Sequence, residues 1–197
     1  SGTIVGTTKR NGEEYSIVLT AGHVVEGTGD LFVHLNTLEE KYRSTKKYEG
    51  AGIHAEVVAV SPQTKYDLAL VAIKTTPEIK KRGFVEIDLE KRIAKGNRML
   101  IGGCPGFGST FYASSCQVTW VKEYNHLRPN VVHLDFRGAG GQSGGGVLNS
   151  NGKISSVVQA ADGRRTYSSS QLSLREFLEI NPEYSFLIGK LILIMLG

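Results

Sequence analysis

The sequence predicts an all-β protein, a sandwich or barrel divided into two halves. Three observations carry this. Short runs rich in Val, Ile, Leu and aromatic residues recur along the chain, Gly, Asn, Asp or Pro bounds each of them, and helical periodicity is almost absent. In order, residues 1–5 open as a strand, and 16–19, 31–35, 54–60, 68–73, 98–101, 117–121, 131–136 and 154–159 follow. The basic, weakly hydrophobic stretch 75–82 reads as a surface connection near mid-chain. It divides the chain into an N-terminal β unit, 1–83, and a C-terminal one, 84–180, followed by an apolar tail, 181–197. The stretch 75–82 is one of two helical stretches; the other spans 173–180, with Ser173 as N-cap and Glu176 completing a capping box. No internal repeat is present.

Composition narrows the function classes. A chain of 197 residues buries well over half of its unfolded surface and needs no disulfide or metal scaffold. With 40% hydrophobic and 21% charged residues the composition is globular, and two cysteines are too few for a disulfide framework. No Asn-x-Ser/Thr acceptor occurs. The formal net charge is +4, but the basic runs 41–47, 80–82 and Arg164-Arg165 have few aromatics between them. They read as solvated faces, so nucleic acid is not an expected partner. Both ends look cut, as in a fragment of a longer polypeptide. The tail 186–197, FLIGKLILIMLG, is apolar except for Lys190 and too short to span a bilayer. Three readings of it stand open: the start of a span, a helix docked on the core, or an anchor through which the chain would meet a membrane.

Three short segments hold the residues that can do chemistry. The first is Leu19-Thr20-Ala21-Gly22-His23-Val24-Val25, the second Tyr66-Asp67-Leu68-Ala69-Leu70-Val71, and the third Gly140-Gly141-Gln142-Ser143-Gly144-Gly145-Gly146-Val147. Each has a plain reading: a structural histidine, an aspartate closing a turn, a flexible glycine loop. A phosphate cradle is set aside because the loop lacks the Gly-Lys-Ser/Thr ending and the helix that follows it. Together they say more. A serine hydroxyl is a weak nucleophile that needs a base, and the base needs a group to fix its tautomer. His23, Asp67 and Ser143 come in that chain order, and glycines leave the N–H groups of Gly141 and Ser143 free to converge on an oxyanion.

These residues resemble the motifs of the chymotrypsin-fold (trypsin-like) serine peptidases, of the kind found in HtrA-type and viral polyprotein proteases. The likeness runs over about 1–161 and includes Ser1-Gly2-Thr3-Ile4-Val5, Thr20-Ala21-Gly22-His23-Val24-Val25, Asp67-Leu68-Ala69-Leu70 and Gly141-Gln142-Ser143-Gly144-Gly145. It also includes Ile101-Gly102-Gly103-Cys104-Pro105-Gly106-Phe107-Gly108 and Asn151-Gly152-Lys153-Ile154. The resemblance implies two antiparallel β-barrels with the site in the cleft between them. It makes His23, Asp67 and Ser143 the catalytic residues, with Gly141 and Ser143 forming the oxyanion hole. No cofactor or metal is implied, and the partner is a polypeptide substrate cleaved through an acyl-enzyme.

Arg137, Gly138, Ala139 and Gly140 would form one wall of the primary pocket, and Val157, Val158, Gln159 and Ala160 another. Arg137 pointing inward would select acidic side chains; pointing outward, it would leave a small apolar pocket. The outward reading is the expectation. Gln142 stands where vertebrate trypsin-like enzymes carry aspartate, so activation through an ion pair between that residue and a newly cut N-terminus is not expected. Cys104 and Cys116 flank a hairpin centred near Thr110, and both a disulfide and two free thiols stay open.

Within the peptidase reading, a protease excised from a viral polyprotein implies host cytoplasm or membrane association. A bacterial enzyme implies periplasm or secretion. A catalytically silent binding module with this fold is the alternative from another class. Oligomeric state is not legible.

Overall fold

A computed structural model describes residues 1–27, 29–35, 52–105, 111–122 and 131–188. Eleven strands and two short α-helices account for most of them. β1 (Thr3–Arg10) and β2 (Glu13–Thr20) form a hairpin turned by Asn11 and Gly12, both at positive φ (50° and 79°), the conformation a two-residue turn demands. β3 (Leu31–Val33), β4 (Ile53–Ser61) and β5 (Leu68–Lys74) complete a five-stranded antiparallel sheet in the order β1-β2-β5-β4-β3. β5 is central, and six of its seven residues are buried.

The connection after β5 contains α1 (Pro77–Arg82), capped by the Thr76 hydroxyl and opened by proline. Its basic residues are exposed and partly paired, Lys80 with Glu14 and Arg82 with Glu78, as a solvated face should be. The basic run 41–47 lies outside the described residues.

The second half is a closed six-stranded barrel, β10-β11-β8-β7-β6-β9. Its strands are β6 (Arg98–Gly103), β7 (Tyr112–Lys122), β8 (Val131–Leu134), β9 (Gly146–Leu148), β10 (Ile154–Ala161) and β11 (Thr166–Ser169). Met99, Ile101, Val118, Val132, Leu134 and Val158 fill it. A larger apolar cluster joins the halves: Val5, Ile17, Leu19, Leu68 and Leu70 pack with Ile154, Val157, Leu174, Phe177 and Leu178.

Helix α2 (Gln171–Glu179) starts earlier than expected, and its N-cap is Ser170, not Ser173. The Ser170 hydroxyl accepts from Ser173 N at 3.0 Å, while Ser173 is buried and within hydrogen-bond distance of Ser170 Oγ. The 3-10 turn Pro182–Ile188 lays Tyr184 and Leu187 into the shared cluster, with Leu187 over Gly6, where a Cβ would stand 2.7 Å from it. The start of the apolar tail is therefore docked on the core; residues 189–197 lie outside the described residues. Among the described residues no helix is long and apolar enough to cross a membrane.

Cys104 and Cys116 are thiols, not joined in a disulfide. The register explains it: Cys116 pairs across β6–β7 with Met99, well along the strand from Cys104.

Candidate active site

β2 delivers its last residues to a turn of 3-10 helix, Gly22–Val24, which carries His23. Gly22 is there because nothing larger fits: a Cβ would sit 2.4 Å from the Ser61 carbonyl and 3.2 Å from Leu68 N. That close approach sets His23 beside the turn that enters β5. The turn is wound on Pro62, whose carbonyl accepts from Lys65 N (2.9 Å) and Asp67 N (3.1 Å), and it leaves Asp67 at φ 50°. Left-handed backbone in a non-glycine residue is a local strain, tolerated best by Asp and Asn, and it is often kept where function needs it. Here it turns the Asp67 carboxylate back onto His23. Oδ1 accepts from His23 N at 2.8 Å, and the ring Nδ1 lies 3.0 Å from Oδ1 and 2.9 Å from Oδ2. Asp67 is buried, while the imidazole side chain remains 30% exposed. A carboxylate accepting at Nδ1–H leaves the ring lone pair on Nε2, the nitrogen free to take a proton.

Ser143 sits in the loop between β8 and β9. Gly141 and Gly144, at φ 91° and 85°, bend this loop. The Gln142 side chain closes it, accepting from Ala139 N at 2.8 Å, and Gln142 N donates to Ala139 O at 3.2 Å. Gly144 N donates to Val158 O (2.8 Å) and Val158 N to Gly145 O (2.9 Å), so the loop is tied to β10. Among the described residues, the N–H groups of Gly141 and Ser143 have no hydrogen-bond partner. The Ser143 hydroxyl donates to Gln159 O at 3.2 Å, and no hydrogen bond joins it to His23.

The start of the chain braces this loop from the other side. Ser1 Oγ donates to Gly141 O (2.6 Å) and accepts from Cys104 N (2.9 Å), and Thr20 Oγ1 donates to Ser1 O (2.6 Å). The Ser1 nitrogen donates to Ser143 O at 2.7 Å and Gly141 O at 3.2 Å. Its contacts are with loop carbonyls and not with the Gln142 side chain. A hydroxyl reaching a loop 140 residues away leaves no local pattern, so in the sequence Ser1 and Thr20 stand out only as members of motifs.

The wall residues are arranged unequally. Arg137, Ala139, Gly140 and Ala160 are exposed. Gly138 faces tight quarters: a Cβ would lie 2.6 Å from Thr166 Oγ1 and 2.9 Å from Ala161 Cβ. Val157 and Val158 turn their side chains into two different apolar clusters, and their N–H groups are taken by Ser169 Oγ and Gly145 O. Gln159 is buried, and its amide Nε2 donates to Tyr66 O at 2.6 Å and Asp67 O at 3.3 Å. No group of histidine, cysteine and carboxylate side chains that could hold a metal ion exists among the described residues.

Among the described residues, a five-stranded antiparallel sheet carrying a buried aspartate on a histidine adjoins a closed six-stranded barrel carrying a glycine-framed serine, which is consistent with the two-barrel chymotrypsin-type fold. Residues 1–157 match the family model of the trypsin-like peptidase domain, and the chain belongs to that family. It is a chymotrypsin-like serine endopeptidase. No curated protein matches it at a significant level. Among solved structures, it resembles the active form of the Rv3671c protease from M. tuberculosis with a TM-score of 0.64 at 18% identity, over 85% of this chain and 72% of that one. The MamO protease domain from Magnetospirillum magneticum gives 0.61 at 19% identity, over 89% and 85%. The HtrA-type protease AlgW, solved with a decapeptide, gives 0.62 at 18%, over 87% and 52%. At these identities the likeness is one of fold. Those with a stated source are bacterial, which lends the viral-polyprotein expectation no support.

Proposed function

We propose that this peptidase hydrolyses peptide bonds through Ser143, His23 and Asp67 by way of an acyl-enzyme. The observation that carries the reading is the two-oxygen seat of His23 Nδ1 on a buried Asp67, which orients the ring and leaves Nε2 basic. In the reaction Ser143 Oγ attacks the scissile carbonyl carbon and its proton passes to Nε2. The oxyanion gathers on the unpartnered N–H groups of Gly141 and Ser143. The C–N bond then breaks as the proton moves from Nε2 to the leaving amine, and water, deprotonated by the same nitrogen, hydrolyses the ester. Before attack, Ser143 must rotate its hydroxyl off Gln159 O and toward His23. Catalytic hydrogen bonds commonly tighten only when substrate is bound.

For the residue before the scissile bond we infer a small aliphatic preference. The crowding of Gly138 against Thr166 and Ala161 leaves little depth, and the exposed Arg137 is left to solvent.

The Ser143–Gln159 hydrogen bond is the observation behind the alternative reading, a silent protease-fold binding module in which the nucleophile stays parked. A fluorophosphonate probe separates the two. Labelling confined to Ser143, lost in Ser143→Ala and in His23→Ala, supports the peptidase mechanism. A folded protein that neither labels nor hydrolyses peptides leaves the binding module.

A further inference from the structure

Gln159 touches both halves of the site with different atoms. Its backbone carbonyl accepts the Ser143 hydroxyl at 3.2 Å. Its side chain runs the other way, and Nε2 spans the peptide that ends the turn before β5, 2.6 Å from Tyr66 O and 3.3 Å from Asp67 O. The residue is 8% exposed, so neither contact is easily exchanged for water. Asp67 needs such a hold, because its backbone sits at φ 50°, a conformation other parts of the structure must enforce. The chemistry of the side chain fits the job: two carbonyl oxygens converge on one point, and a neutral amide NH2 offers two donors, where a carboxylate would be repelled. A shorter amide would not reach across.

We infer that Gln159 is the positioning residue of this enzyme, a strut that keeps the Asp67–His23 pair at a set distance from the nucleophile strand. Its amide holds the strained turn so that the carboxylate stays seated on His23 Nδ1, and its carbonyl stores the Ser143 hydroxyl between turnovers. Gln159 touches no reacting atom other than this resting hydroxyl, and it acts through Asp67. The inference rests on the mechanism proposed above.

The test compares wild type with Gln159→Met, which keeps the length and removes the donors, and Gln159→Asn, which keeps the amide and withdraws it. For each protein the fraction of sites titrated by a fluorophosphonate, kcat per titrated site, KM and thermal midpoint are measured well below the lowest midpoint. In both variants kcat per titrated site falls about 10- to 100-fold, the scale of an ångström-sized misplacement, while KM stays within about twofold. In parallel, the strongly deshielded Nδ1–H proton of His23 is followed by NMR and is expected to shift upfield or broaden in the variants. That signal needs no turnover. If wild type fails to titrate, the proposed mechanism falls, and the NMR comparison still decides whether Gln159 seats Asp67 on His23. A loss wholly explained by fewer titratable sites, or a Gln159→Met protein with wild-type kcat and an unmoved His23 resonance, overturns the inference.

Discussion

Replacing Gly144 by alanine would put a methyl group where two atoms already stand. The Cβ would lie 2.1 Å from Ser1 O and 2.1 Å from Thr20 Oγ1, and 3.1 Å from Ala21 N. None of these is the far end of a flexible side chain: one is a carbonyl, and the hydroxyl is itself hydrogen-bonded to that carbonyl at 2.6 Å. The backbone has to give. The residue also sits at φ 85°, where an L-residue costs about 1–2 kcal/mol, and overpacking of this kind adds about 1–3 kcal/mol. The sum is roughly 2–5 kcal/mol, or a fall in Tm of about 4–20 °C for a chain of this size. Gly152→Ala supplies the control. Gly152 has φ 72° but nothing within 4 Å of its would-be Cβ, so it bears only the conformational cost, about 1–2 kcal/mol. Calorimetric or urea unfolding of both variants isolates the steric part. Gly144→Ala should also lose more activity than its folded fraction explains, because the nucleophile loop moves with residue 144. Equal destabilisation by the two substitutions would refute the close packing of the first residues against this loop.

Two further outcomes follow from the structure. Arg137 is exposed, so Arg137→Ala should change a peptide-library profile little, on the scale of a few tenths of a kcal/mol for a screened surface charge; acidic enrichment before the scissile bond that vanishes in this variant would overturn the small-pocket reading. Burial, seconded by the Asp135 carboxylate, pushes the Cys116 thiol up to about 11, so Ellman's reagent at pH 8 should find Cys116 inert in the native protein. The sign for stability follows: a thiol harder to ionise when folded contributes fully below the unfolded value of 9.0 and loses that contribution as pH rises toward 11. Denaturation midpoints that do not decline over that window, or rapid native labelling, would contradict the burial.

His23 and Asp67 were legible because each sits in a short contiguous segment whose neighbours state its context: a glycine that permits close approach, an apolar strand that begins at once. Ser143 was legible for the same reason, through its glycines. What escaped the sequence was whatever depends on registers between distant strands. β11, Thr-Tyr-Ser-Ser, is too polar to signal a strand, yet three of its four residues are buried by pairing with β8 and β10. A hairpin centred near Thr110 would bring the two cysteines face to face, but the pairing of Arg98 with Gln117 and of Gly103 with Tyr112 sets a different register. Val157 and Val158 looked like one wall, but β10 is sandwiched between two cores, so consecutive side chains enter different ones. The helix cap shifted by three residues because a run of serines offers several hydroxyls, and only the tertiary position of Gln171 on residues 88–93 selects among them.

The shared apolar cluster that joins the two halves also bears on when the enzyme becomes an enzyme. β1 to β5 precede the barrel strands in chain order, so His23 and Asp67 are made before the residues that hold them in place. The cluster they rest on is incomplete until Ile154, Val157 and the residues of α2 have emerged, and the turn at Asp67 lacks its amide support until Gln159 has. Contacts that span more than 90 residues also close slowly, since loop entropy must be overcome before they repay it. Hydrolytic competence thus waits until β10 and α2 have been made. A protease domain assembled in that order has no means to cut anything, itself included, until β10 and α2 are in place.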